Sequence, residues 1–332
     1  MTSFSTKGGK VAEERRSEIT RVRTGPQVRI IPYGAFQGCI NLAEVQFDER
    51  LEIIGASAFK GCTSLQQVVM PSGVTLLGEW AFSGCINLAE VQLNDGLQNI
   101  APKAFHECTA LRSVTLPSSV AVLGNGAFSY CTNLTEVIFL GGKGLLNRGF
   151  LELGLFSGQG VLNGGTLGMM AVFKGRNPFG RGYAVFHECP VTTIKISISQ
   201  ALSERMTSLP QECMVSIEGR IRDLSRLELT QDGHILACFP VITRVSDDEY
   251  DSVDVQDTNN QTAESLHQVL RLISFHELKE SSILIELAMW KSSLVNDRDR
   301  ADCRASVPDP AKSLIMEYCG FTGFLEPVME GD

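Results

Sequence analysis

Two tripeptides in this 332-residue chain, His106-Glu107-Cys108 and His187-Glu188-Cys189, combine the side chains that bind zinc. Cysteine-built zinc sites normally draw their ligands as C-x-x-C pairs, and neither tripeptide supplies one. Both cysteines instead fall three residues after a Phe, in a series that also holds Cys39, Cys62, Cys85 and Cys131. A small thiol at one fixed point of a repeat reads as core packing. His234, His267 and His276 lack H-E-x-x-H spacing. No G-x-S-x-G elbow occurs, and a cysteine nucleophile would need a histidine beside it in an open cleft. The stretch 141–182 holds thirteen of the 31 glycines, with the string Gly158-Gln159-Gly160-Val161-Leu162-Asn163-Gly164-Gly165. Its spacing fits neither G-x-G-x-x-G nor G-x-x-x-x-G-K-[ST], so it predicts an inserted loop rather than a phosphate cradle. The chemistry looked for is therefore not found. The expectation is no catalytic residue, no cofactor site, no metal ligand and no enzyme.

What the chain can do is present side chains from a ladder. Ala-Phe recurs at Ala35-Phe36, Ala58-Phe59, Ala81-Phe82, Ala104-Phe105 and Ala127-Phe128, each pair 23 residues after the last. Cysteine follows each Phe by three, then leucine (Leu42, Leu65, Leu88, Leu111, Leu134) and valine (Val45, Val68, Val91, Val114, Val137). Such self-similarity is the signature of a solenoid, whose units bury apolar residues only by stacking. Within one unit, Leu111-Arg112-Ser113-Val114-Thr115-Leu116 alternates as a strand with one face buried. Stacked units would pair these strands into a parallel sheet at about 4.8 Å per rung. A second apolar pair (Leu51 and Ile54, Val120 and Leu123) lies on the return path, and Ala-Phe-x-x-Cys closes the coil as a helical or 3₁₀ turn.

This unit resembles the BspA-type (Treponema pallidum-type) leucine-rich repeat, roughly I-x-x-x-A-F-x-x-C-x-x-L-x-x-V-x-L-P. Leu77-Gly78-Glu79-Trp80-Ala81-Phe82-Ser83-Gly84-Cys85-Ile86-Asn87-Leu88 fits it almost throughout. The resemblance covers about a third of the chain. It implies an α/β fold, a leucine-rich-repeat solenoid with a short parallel sheet on its concave face, followed here by a mostly helical C-terminal region. Residues flanking each strand valine should then face outward: Glu44 and Gln46, Gln67 and Val69, Glu90 and Gln92, Ser113 and Thr115, Glu136 and Ile138. Glu44, Glu90 and Glu136 share one row, which reads as polar and acidic with no basic residue opposing it. A protein partner on this concave face is the expected role. Ten side chains are few beside the 20–30 residues of a standard interface, so the contact should be modest and transient. The alternative is that the repeat is a targeting or spacer module for a regulatory or ligand-binding C-terminal region.

Composition is that of an ordinary soluble protein, and a net charge of −9 argues against nucleic acid as partner. No stretch approaches a membrane span, and the N-terminus lacks the apolar core of a secretory signal, so a cytoplasmic protein with free thiols is expected. The boundaries read from texture are a flexible charged leader over 1–25, the solenoid over 26–140 and the Gly-rich insert over 141–182. A degenerate closing repeat with helices and a hairpin follows over 183–245. The hairpin turns at Gln231-Asp232-Gly233-His234. An acidic linker over 246–261 precedes a helical hairpin (Thr262–Phe275 and Lys279–Val295) and tail ending at 332.

Overall fold

The computed structural model describes residues 11–141, 185–199, 202, 206, 209–240, 242–243, 253–254 and 261–295. All of the Gly-rich insert but Gly141 lies outside these residues, as do the C-terminal tail and all of the acidic linker but Val253, Asp254 and Gln261.

Each 23-residue unit makes two short strands. In chain order they are β1 (Arg21–Arg23), β2 (Ile30–Ile31), β3 (Glu44–Gln46), β4 (Ile53–Ile54), β5 (Gln67–Val69), β6 (Leu76–Leu77), β7 (Glu90–Gln92), β8 (Asn99–Ile100), β9 (Ser113–Leu116), β10 (Val122–Leu123) and β11 (Glu136–Phe139). Odd-numbered strands lie on one side in three separate parallel sheets, β1-β3, β5-β7 and one holding β9 and β11, each in register: Val22 lies beside Val45, Val68 beside Val91, and Val114 beside Val137. Even-numbered strands stack separately in the order β10-β8-β6-β4-β2. This second sheet, expected only as an apolar return path, is built from strands two residues long. Two residues are too few to show an alternating pattern, so the sequence carries no period there to read.

Between the sheets runs the core. Phe36, Phe59, Phe82, Phe105, Phe128 and Phe186 are all buried and stack nearly parallel, with centroids 5.1 to 5.5 Å apart. The cysteines are equally buried, for a reason beyond size. Each Phe carbonyl from Phe36 to Phe128 accepts the N–H of the cysteine three residues on, at 3.2 to 3.3 Å, and its second lone pair takes the thiol of the next rung. Cys62, Cys85, Cys108 and Cys131 donate their thiols to Phe36, Phe59, Phe82 and Phe105 carbonyls at 3.2 to 3.3 Å, and Cys189 donates to Phe128 at 3.0 Å. Burial pushes the Cys39 thiol up to about 11 and Cys85 to about 12. Burial also raises Cys62 and Cys108, while Cys131 is raised by its hydrogen bond with Cys189 and then by burial.

The stack starts earlier than the boundary at 26. Residues 11–25, expected as part of a flexible charged leader, form an incomplete first rung. A 3₁₀ turn (Glu13–Glu18) leads into β1, with Val11, Ile19 and Val22 buried and Asn41 donating to the Ser17 carbonyl at 2.8 Å. Ile19 and Val22 stand 23 residues before Leu42 and Val45, and the charged residues around them stay out of the core.

At the other end β12 (Thr193–Ser197) pairs parallel with β11, Ile194 beside Val137, and arrives one residue early after Cys189 as the sequence predicted. From there direction reverses. Helix α1 (Gln211–Asp223) starts directly after Pro210, which lacks the N–H that a first turn leaves unbonded. The hairpin β13 (Leu227–Leu229) and β14 (Ile235–Pro240) adds antiparallel to β12, turning at Gly233, φ +81°. The sheet therefore ends in the order β13-β14-β12-β11-β9. Strands β15 (Ile242–Thr243) and β16 (Val253–Asp254) pair with each other.

The predicted helical hairpin is instead one helix, α2 (Gln261–Val295), 35 residues long. No Gly or Pro interrupts it, and His276-Glu277-Leu278 contains nothing that breaks a helix. Its first half buries Leu266, Val269, Leu270 and Ile273 against the core, and Arg226 holds its start through the Gln261 amide oxygen at 2.6 Å.

Candidate partner-binding face

Alternation along the odd-numbered strands places the expected residues on one face. Gln46, Gln67, Val69, Glu90, Gln92 and Ser113 are exposed, and Glu44, Thr115, Glu136 and Ile138 are half-buried. In-register pairing within β1-β3, β5-β7 and β9-β11-β12, together with the 23-residue repeat, arranges these ten side chains in two columns. The first reads Arg21, Glu44, Gln67, Glu90, Ser113, Glu136; the second reads Arg23, Gln46, Val69, Gln92, Thr115, Ile138, Lys195. Val69, at 49% exposure, is a large apolar side chain left in the open.

The acidic row does meet basic residues, contrary to the sequence reading. Arg21 Nε lies 3.2 Å from Glu44, and Lys195 Nζ lies 2.8 Å from Glu136 and 2.6 Å from Glu228. Partial burial of the Lys195 ammonium works against its charge, but the two carboxylates more than offset this and raise its pKa. Both cations were missed for a definable reason. Arg21 sits 23 residues before Glu44, inside a segment set aside as leader. Lys195 reaches the column only after the break in period at 141–182. Between these ends Glu90 has no cation on it among the described residues; its Oε1 accepts from Gln92 Nε2 at 2.6 Å, as Glu44 does from Gln46.

The turns on the outer edge carry a different cluster. Lys60 and Lys103 place their ammoniums 4.5 and 4.4 Å from the Trp80 ring, and His106 meets Trp80 and Tyr130 edge-on at 5.4 Å. Burial holds the His106 pKa below its ordinary value, and its Nδ1 lies 2.8 Å from Ser129 Oγ. Cys108 is committed to the Phe82 carbonyl, so His106-Glu107-Cys108 does not converge on one point. Among the described residues no group of three or more His, Cys, Asp or Glu is placed to hold a metal ion.

Residues 17–145 match the family described as the BspA type leucine rich repeat region, in six copies. This stretch is a BspA-type leucine-rich repeat. The sixth copy agrees with the early rung at β1. The repeat is similar to a leucine rich cell surface protein from Faecalibacterium prausnitzii, with 28% identity over 36% of this chain and 38% of that one (TM-score 0.30). It is similar to the T. pallidum leucine rich repeat protein, with 29% identity over 36% of this chain and 59% of that one (TM-score 0.27). A Bacteroides ovatus leucine-rich repeat protein matches with 21% identity over 41% of this chain and 53% of that one (TM-score 0.29). The chain thus spans less than two thirds of each of these proteins. No curated protein matches it. Among the described residues no helix is long and apolar enough to cross a membrane.

Proposed function

We propose that the chain is a non-enzymatic protein–protein interaction scaffold, cytoplasmic, whose leucine-rich repeat binds a partner protein through the face bearing Glu44, Gln46, Gln67, Val69, Glu90, Gln92, Ser113, Thr115, Glu136 and Ile138. The observation that carries this reading is the pair of register-locked columns: no member is buried, and Val69 is presented with the polar residues. Repeats that hold side chains on a rigid sheet make extended recognition surfaces. The buried free thiols suit a reducing compartment.

The ion pairs decide which variant tests it. Reversing Glu44 or Glu136 would also set like charges against Arg21 or Lys195, so Glu90→Lys with Gln67→Lys is the cleaner change. Gln98→Lys, exposed beside the second sheet, serves as control. Affinity purification from native lysate with wild type and both variants, each checked by circular dichroism, reads the result. A partner retained by wild type and control but lost from the double variant supports the reading. A partner retained by all three makes the repeat a spacer and moves recognition to the C-terminal region.

A further inference from the structure

We propose that the outer turns bearing Trp80, His106 and Tyr130 form an acid-opened latch, in which protonation of His106 drives the Lys103 ammonium off the Trp80 ring and bares that indole to solvent. Backbone strain marks the place. Gly34, Ser57, Trp80, Lys103 and Gly126 stand 23 residues apart, and all five take φ between +54° and +60°. Glycine adopts that conformation freely, whereas a bulky side chain there is strained. Two successive rungs nevertheless put Trp80 and Lys103 at it, and such strain persists where the side chains themselves are needed.

What they build is a crowded ring. The ammoniums of Lys60 and Lys103, from the rungs on either side, lie 4.5 and 4.4 Å from the centre of the Trp80 ring. His106 stands edge-on to Trp80 (84°) and to Tyr130 (87°), both at 5.4 Å. The Ser129 hydroxyl donates to the Gly126 carbonyl at 2.8 Å, so its oxygen accepts from His106 Nδ1–H, also at 2.8 Å. The neutral imidazole therefore carries its proton on Nδ1 and leaves Nε2 bare, 3.3 Å from Glu107 Oε1. Two acceptors face each other there, and a proton taken up by Nε2 turns that contact into a charged hydrogen bond. Around this site the described charged and titratable groups are Lys60, Lys103, Glu107 and Tyr130, with Glu79 on the Trp80 Nε1–H at 3.0 Å. His187 and Glu188 lie beyond Tyr130.

Protonation sets a third cation against a ring that already holds two. Burial opposes the imidazolium first, and of the two ammoniums Lys103, on the same rung, opposes it more than Lys60. Glu107 and Ser129 hold the imidazolium in place. The Lys103 ammonium ends a flexible four-carbon stem and is the charge that can move, exchanging its place on the ring for water. Because burial holds the His106 pKa below its ordinary value of about 6.5, the latch stays shut at neutral pH.

The test uses the full chain with Trp290→Phe, which leaves Trp80 as its single tryptophan, and reads acrylamide quenching of its fluorescence, with circular dichroism as a fold check. Between about pH 7.5 and 5 the quenching constant should rise about twofold, one of the ring's two ammoniums having left, with a midpoint below about pH 6.5. His106→Gln, whose amide can still donate to Ser129, should quench equally at both pH values. Lys103→Ala should show the raised constant at both. A constant that does not move with pH, or a step that survives in His106→Gln, overturns the proposal. Emission that falls in acid with the constant unchanged means that the imidazolium quenches an indole still covered, and overturns it too. Should His106→Gln fail to fold, Lys103→Ala decides alone: a full pH step there overturns the latch.

Discussion

Raising the pH should unfold this protein through its cysteines. Cys39, Cys62, Cys85, Cys108 and Cys131 are fully buried, and each has its folded-state pKa raised, Cys39 to about 11 and Cys85 to about 12. In the unfolded chain a cysteine ionises near pH 8.5. The folded pKa is thus raised above the unfolded one, so each thiol's contribution is fully present below pH ~8.5 and lost as pH rises toward the folded value. At pH 9.5 the unfolded chain gains about 1.4 kcal/mol per ionised thiol, or about 7 kcal/mol for the five, while the native thiols remain protonated. That is comparable with the whole stability of a typical domain, about 5–15 kcal/mol. Urea titration with reductant present, followed by circular dichroism at pH 7.5, 8.5 and 9.5, reads it directly. With a slope of about 2–3 kcal/mol per molar urea, the midpoint should fall by roughly 2.3–3.5 M from pH 7.5 to 9.5. Native alkylation at pH 7.5 should leave the same five thiols unmodified. A midpoint that moves by less than ~0.5 M would mean that the thiols ionise freely in the native state, and the buried column would be wrong.

Three further outcomes follow from the packing. Phe82→Ala removes a ring stacked on Phe59 at 5.1 Å and on Phe105 at 5.5 Å, and should cost about 4 kcal/mol by urea unfolding; a loss below ~1 kcal/mol would contradict the stack. Gly78→Ala would place a methyl 2.4 Å from the Ala56 amide nitrogen and should be strongly destabilising, whereas Gly219→Ala, inside α1 with nothing within 4 Å, should stabilise by about 0.5–1 kcal/mol; melting temperatures moving the same way would refute the contrast. Lys195→Met leaves Glu136 and Glu228 without the ammonium they share across β12 and β14 and should cost roughly 1–2 kcal/mol at pH 7. Because that lysine's pKa is raised, the deficit against wild type should hold below pH ~10.4 and shrink only above it; a deficit already shrinking at pH 8 would sink the assignment.

Particular residues show how far the sequence could be read. The Ala-Phe-x-x-Cys-x-x-Leu ladder predicted the stacked core, because a repeat without insertions leaves each residue type a single place to pack. The ten outward residues followed from alternation about each strand valine. Three features did not follow. The second sheet has strands too short for a period. Residues 11–25 looked like leader because their charges outnumber the two positions, Ile19 and Val22, that carry the register. The single helix α2 runs through 276–278, where the weakening apolar stripe predicts a break although nothing there ends a helix.

By itself, then, the sequence determined what repeats with a readable pattern: the 23-residue rung, the buried Phe and Cys columns, and the face on which the glutamates stand. Periodicity is local information, and stacking only copies it. The tertiary structure alone decided what happens where the period stops. Whether Glu44 and Glu136 stand open or paired depends on Arg21 and Lys195, which flank the regular repeats. Those cations reach the column only once the first and last rungs have folded onto it. The charge left open on this face is set by those two contacts, one to Arg21 in the incomplete first rung and one to Lys195 beyond the break in period.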